Sequence, residues 1–143
     1  MNSRCCLISA EGLSVHYDAV QQCLFSEWTG RHDQASVRKY CEQILSCLYA
    51  HPVGKILSDH SQLQGEWHEA ASWVGTRMFS RFAALGVGHV AWVAAQQNQA
   101  DRSAMEAALR AADYPVVSIF DDVDSAYSWL LQAPQQLTRP FLA

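Results

Sequence analysis

Short β-like runs alternate with helix-length apolar stripes along this chain, and that alternation narrows the possible folds more than any other feature. Between 34 and 50, Val37, Tyr40, Cys41, Ile44, Leu45 and Leu48 recur at three- and four-residue steps, so they share one helix face. Asp33 can cap the start of this helix, and His51-Pro52-Val53-Gly54 stops it. Lys55 to Asp59 then reads as a short strand centred on Ile56-Leu57. The next stripe, Trp67, Ala70, Ala71, Val74, Met78, Phe82 and Leu85, predicts a long helix over 66–85 ended by Gly86. His89 to Ala95 is a continuous apolar run, suited to a strand covered on both faces. A third helix over 102–112, with Ser103 and Glu106 at capping-box spacing, a strand over 116–120 and a final helix capped by Asp121 and Asp122 complete the pattern.

Ahead of these elements, Val15 and Tyr17 suggest a strand running into a turn at 18–21. Gln22 to Thr29 then alternates Leu24, Ser26 and Trp28 against Cys23, Phe25 and Glu27. The short connection favours an antiparallel hairpin. The order is thus β-β-α-β-α-β-α-β-α, an α/β fold with a mixed sheet. Most strands would be parallel and joined by right-handed crossovers, with the antiparallel hairpin at the N-terminal edge. Neither a repeat nor a linker interrupts the chain, which predicts one domain over 1–131 and a loosely held tail over 132–143.

Bulk composition excludes several classes of function. The chain has 143 residues and a formal charge of −4, with its ten Lys and Arg scattered, so no basic field awaits a nucleic acid. No stretch approaches the roughly 18 apolar residues of a membrane span. The opening Met1-Asn2-Ser3-Arg4-Cys5-Cys6 lacks a secretory apolar core, and position 2 is not the glycine of a myristoylation signal. A cytoplasmic protein is expected. The odd cysteine count of five then favours reduced thiols, with Cys5 and Cys6 in an N-terminal strand or lead-in and Cys41 in a core stripe.

Three stretches carry a resemblance to a known family. Tyr17-Asp18 through Trp28-Thr29-Gly30, Lys55-Ile56-Leu57-Ser58-Asp59, and Phe120-Asp121-Asp122 with Ala126 and Trp129-Leu130 are similar to the opening hairpin, third strand and closing strand–helix of STAS-type, SpoIIAA-like proteins. The resemblance implies a mixed sheet wound with helices. In family members that act as phosphorylation switches, the third strand leads into Asp-Ser-Ser-Gly, whose first serine takes the phosphate. The matching positions are Asp59, His60, Ser61 and Gln62, so histidine stands where the acceptor would be and the glycine is missing.

In open α/β sheets ligands gather beyond the carboxyl ends of parallel strands, a rule that selects Asp59-His60-Ser61, Gln96-Gln97-Asn98 and Asp121-Asp122. A metal site drawn from Asp59, His60, Glu66, His68 and Glu69 is not expected, because His68 and Glu69 point about 100° apart on a helix. No nucleophile elbow, phosphate loop or dinucleotide fingerprint is present, so neither a catalytic residue nor a cofactor is assigned. Trp73 and Phe79 project away from the core stripe of the long helix, as Tyr49 does on the first, and exposed aromatics serve as interface anchors. The sequence therefore reads as a non-catalytic binding or regulatory module that docks a protein partner or a second copy of itself. Asp59, His60, Ser61, Trp73 and Phe79 are its candidate contacts. A second reading is a carrier of an apolar or lipid-like ligand lined by Trp67, Met78 and Trp92; an enzyme using His60 and Asp59 ranks last.

Overall fold

The computed structural model describes residues 4–65, 68–94 and 115–134. Six strands form one sheet in sequence order: β1 (Arg4–Ser9), β2 (Leu13–Asp18), β3 (Cys23–Gly30), β4 (Lys55–Leu63), β5 (His89–Val93) and β6 (Val116–Phe120). β1–β2 and β2–β3 pair antiparallel, and β3–β4, β4–β5 and β5–β6 pair parallel. The mixed α/β fold thus matches the alternation in the sequence. The edge, however, is β1 and not the expected first strand. Its Cys5 and Cys6 are exposed, free thiols, while Leu7 and Ile8 pack against the core. Pairing with β2 holds this strand, and pairing leaves little trace in a hydrophobic pattern.

Helix α1 (Gln34–Ala50) begins as a reciprocal cap. Asp33 accepts the Ser36 N–H at 2.8 Å, while Ser36 Oγ accepts the Asp33 N–H at 3.0 Å. It buries Val37, Cys41, Ile44, Leu45 and Leu48 against the sheet. The long second helix is divided. Segment α2 (His68–Trp73) runs into a π-turn (Val74–Met78) and then α3 (Phe79–Ala84). Phe79 N–H donates to Val74 C=O, the i→i+5 bond of a π-turn. The wider turn takes in an extra residue and rotates the helix beyond it, so both Met78 and Phe79 face the core. A projection on an uninterrupted α-helix misplaces Phe79: it is 2% exposed and is no surface anchor.

The sheet divides the interior. Toward α1 and α2–α3 point Leu24, Ser26 and Trp28 of β3, Ile56, Ser58 and His60 of β4, and Val90 and Trp92 of β5. On the other face Cys23, Phe25, Leu57, Ala91 and Val93 pack on Ala126 and Leu130 of α4 (Val123–Gln132). Asp122 caps α4, accepting the Ser125 N–H at 2.7 Å. β5 is covered on both faces, as its unbroken apolar run requires. The expected helix over 102–112 lies outside the described residues.

Candidate functional site

β4 does not end at Asp59. It continues through His60, Ser61 and Gln62 to Leu63, where a loop was expected. Glu27 pairs with Asp59 and Thr29 with Gln62, so His60 and Ser61 together face the single residue Trp28. This is a β-bulge. Asp59 Oδ1 accepts the Ser61 N–H at 2.9 Å, giving that amide a partner at the bulge.

The strand's alternation sends the three candidate residues apart. His60 turns into the core on the α1 side and is 2% exposed. Asp59 turns to the opposite face, 9% exposed, and Ser61 is half-buried. Asp59 and His60 therefore cannot converge on one metal or one substrate. Among the described residues no group of three or more His, Cys, Asp or Glu is placed to hold a metal ion. Glu66 and Gln96-Gln97-Asn98 lie outside the described residues. Asp122 is occupied as a helix cap.

His60 is held from every side. The indole of Trp28 stacks at 5.6 Å and 16°, and that of Trp92 at 3.7 Å and 15°, one from each neighbouring strand. Phe79 meets Trp92 edge-on at 5.9 Å. Ser58 Oγ lies 2.7 Å from His60 Nε2, and Ser26 Oγ donates to Ser58 Oγ at 3.1 Å. Burial holds the ring well below the ordinary histidine pKa, and nearby His32 adds to the effect. His32 itself bridges the entry to α1: its Nε2 lies 3.1 Å from Gly12 O and 3.0 Å from Thr29 O. A Cβ at Gly12 would fall 2.7 Å from the His32 ring, so glycine is what permits this close approach.

Beneath the π-turn, Ser26, Ser58, His60, Met78, Phe79 and Trp92 help to wall a cavity of about 20 Å³. That is room for one water molecule, far short of the roughly 300 Å³ at which ligand pockets begin. Trp67, proposed to line a carrier site, lies outside the described residues. His60 is thus a sealed core residue.

The outer surface is different. Tyr49 stands 77% exposed at the C-terminal end of α1. It flanks a groove of about 640 Å³ bounded by Leu45, Ser46, Ala50, Arg81, Ala84 and Leu85. Along the same seam Arg81 pairs with Glu42 at 2.8 Å, and the Arg38 guanidinium lies 5.0 Å from the Trp73 ring centroid. Trp73 is half-buried between Arg38 and the core and is not free on the surface. Tyr49, read from its helical position, is the exposed aromatic that remains.

On the opposite sheet face Lys55 is 3% exposed, and its Nζ has no hydrogen-bond partner among the described residues. Register places it between Cys23 and His89. Burial lowers the Lys55 pKa and pushes the Cys23 thiol up to about 12; it also lowers that of His89, with Lys55 adding to the effect. The expectation for this strand singled out its C-terminal end and missed Lys55, although a lysine opening a strand of a covered sheet was visible in the sequence.

Comparison with known proteins agrees with the topology. A crystal structure of an uncharacterised protein of the DUF3478 family with a SpoIIAA-like fold, from Shewanella loihica PV-4, superposes with a TM-score of 0.52 at 18% identity, covering 89% of this chain and 91% of that one. No curated protein matches the chain. The model of the SpoIIAA-like family matches residues 23–131, from β3 through nearly all of α4. By this match over most of its length, the chain belongs to the SpoIIAA-like family.

Proposed function

We propose that this SpoIIAA-like chain is a non-catalytic binding module that associates with a second copy of itself along the α1/α3 seam. The observation that carries the reading is a contrast in access. His60, at the matched switch position, is sealed in the core, whereas an aromatic knob and an apolar groove lie side by side on the outer face. Chemistry on a substrate needs a reachable group, and His60 is not reachable.

A knob beside a hole on one surface is self-complementary. In a two-fold contact Tyr49 of each copy enters the groove between Leu45, Ala84 and Leu85 of the other, so every pairing occurs twice. Trp73 and Arg38 continue the same face toward the start of α1. The carrier reading finds no room in the 20 Å³ cavity. Among the described residues no helix is long and apolar enough to cross a membrane.

Sedimentation velocity across a concentration series tests the dimer. The wild type is expected to dimerise by high micromolar concentration, and Tyr49→Glu to stay a folded monomer, because a carboxylate would be desolvated in the groove. A wild type that remains monomeric throughout overturns self-association. A Tyr49→Glu protein that still dimerises places the contact elsewhere.

A further inference from the structure

We propose that Lys55 is a carbon dioxide site: its buried amine takes up dissolved CO2 reversibly as a carbamate, held on the α4 face of the sheet beside His89. This goes beyond the docking reading and does not depend on it.

The observation behind it is a buried donor with nothing to bind. Lys55 is 3% exposed, and its Nζ has no hydrogen-bond partner among the described residues. Such a group costs free energy until an acceptor reaches it. Register sets Cys23 on one side of Lys55 and His89 on the other. The Cys23 thiol already donates to Leu24 O at 3.6 Å. The half-buried His89 ring meets Trp129 of α4 edge-on at 5.8 Å. Beyond Cys23 the same register continues through Asp18 of β2 to Arg4 of β1, whose guanidinium lies 3.7 Å from the Phe25 ring centroid. Asp18 disfavours an anion at this end of the sheet and Arg4 favours one.

The site selects CO2 by access, by protonation and by what the product supplies. Because Nζ is covered, a reagent must be small and uncharged to reach it. Burial lowers the Lys55 pKa, which raises the share of free amine, the form that attacks carbon. In the reaction an Nζ–C bond forms, one C–O π bond opens onto oxygen, and one N–H proton leaves to water. No oxidant or reductant is needed, and withdrawal of CO2 restores the amine. An ammonium with three donors thus becomes one N–H carrying two acceptor oxygens, and His89, next along the rung, can donate to one of them. Cys23, Lys55 and His89 open their strands, and Gly54 and Gly88, just before Lys55 and His89, carry no side chain. The three added atoms extend toward that end of the sheet without displacing a strand neighbour.

NMR of the full chain, made with ¹⁵N-lysine and equilibrated with ¹³C-labelled CO2 and bicarbonate in mildly alkaline buffer, reads the adduct directly. A carbamate carbon coupled to a lysine nitrogen is expected, and the coupling sets it apart from any adduct of the chain's α-amine. The other lysine, Lys39, is exposed on α1, so Lys39→Arg should keep the signal and Lys55→Met should lose it. Where Lys55→Met fails to fold, Lys39→Arg assigns the signal alone, because Lys55 is then the last lysine in the chain. The folded Lys39→Arg protein should show a signal about tenfold or more above that of the same protein in urea, since a desolvated amine gives up its proton more readily than one in water. Absence of a lysine-coupled carbon, its loss in Lys39→Arg, or equal intensity in folded and unfolded protein overturns the site.

Discussion

Two cross-strand rungs of the same sheet, on opposite faces, bury polar groups in different company. On the α1 face Ser26 pairs with Ser58, and Ser58 with Trp92. Register brings two hydroxyls together, and His60, two residues along β4, completes a chain of hydrogen bonds. On the α4 face Cys23 pairs with Lys55, and Lys55 with His89. There the neighbours are a thiol and an imidazole that burial keeps uncharged, and neither accepts a hydrogen bond from the amine. Buried polar groups are tolerable when they satisfy one another and costly when they do not. The first rung links two hydroxyls and an imidazole nitrogen in one hydrogen-bonded chain, whereas the second leaves the Lys55 Nζ with no hydrogen bond among the described residues.

The comparison breaks most visibly at Trp92. It contacts both His60 and Phe79, so Trp92→Ala removes one wall of the histidine sandwich and the ledge beneath the π-turn. A loss of about 3–5 kcal/mol in chemical denaturation is expected. Less than about 1 kcal/mol would mean that the α1 face is not the main core. Leu130→Ala removes the corresponding anchor of α4 from the smaller cluster. About 2–3 kcal/mol is expected there, from the lower part of the range for such truncations. Equal losses at the two sites would erase the distinction between the faces.

The sequence showed these faces unevenly, and the reasons are physical. The α1 stripe and the unbroken run of β5 were legible because one-sided and two-sided burial leave different periodicities. The π-turn was not, since Val-Gly-Thr-Arg-Met carries no mark of an i→i+5 bond, and the projection slips just beyond it. That slip put Phe79 on the surface. The continuation of β4 was hidden by polar composition. Yet a strand carried past Asp59 at period two would have placed Ser58 and His60 on one face, between Trp28 and Trp92. The bulge that makes this possible depends on pairing with β3, a non-local fact. Tyr49 was legible because its helix is regular.

The second rung can be tested by removing its liability. Lys55→Met keeps the aliphatic stem and deletes the ammonium, whose burial has no hydrogen bond to offset it among the described residues. Such a change inverts the usual direction of core substitution: the variant is expected to be more stable than wild type at pH 7, by about 1 kcal/mol. The pH dependence sharpens the assignment. Because burial lowers the Lys55 pKa from 10.5, the unfolded chain holds the extra proton, and wild-type stability rises as pH approaches 10.5. The advantage of Met should therefore shrink in alkaline solution. Paired urea titrations at pH 7 and near pH 10 measure both effects. A variant less stable than wild type at pH 7 would mean that the ammonium makes a favourable contact. The two rungs would then differ less than their hydrogen bonds indicate.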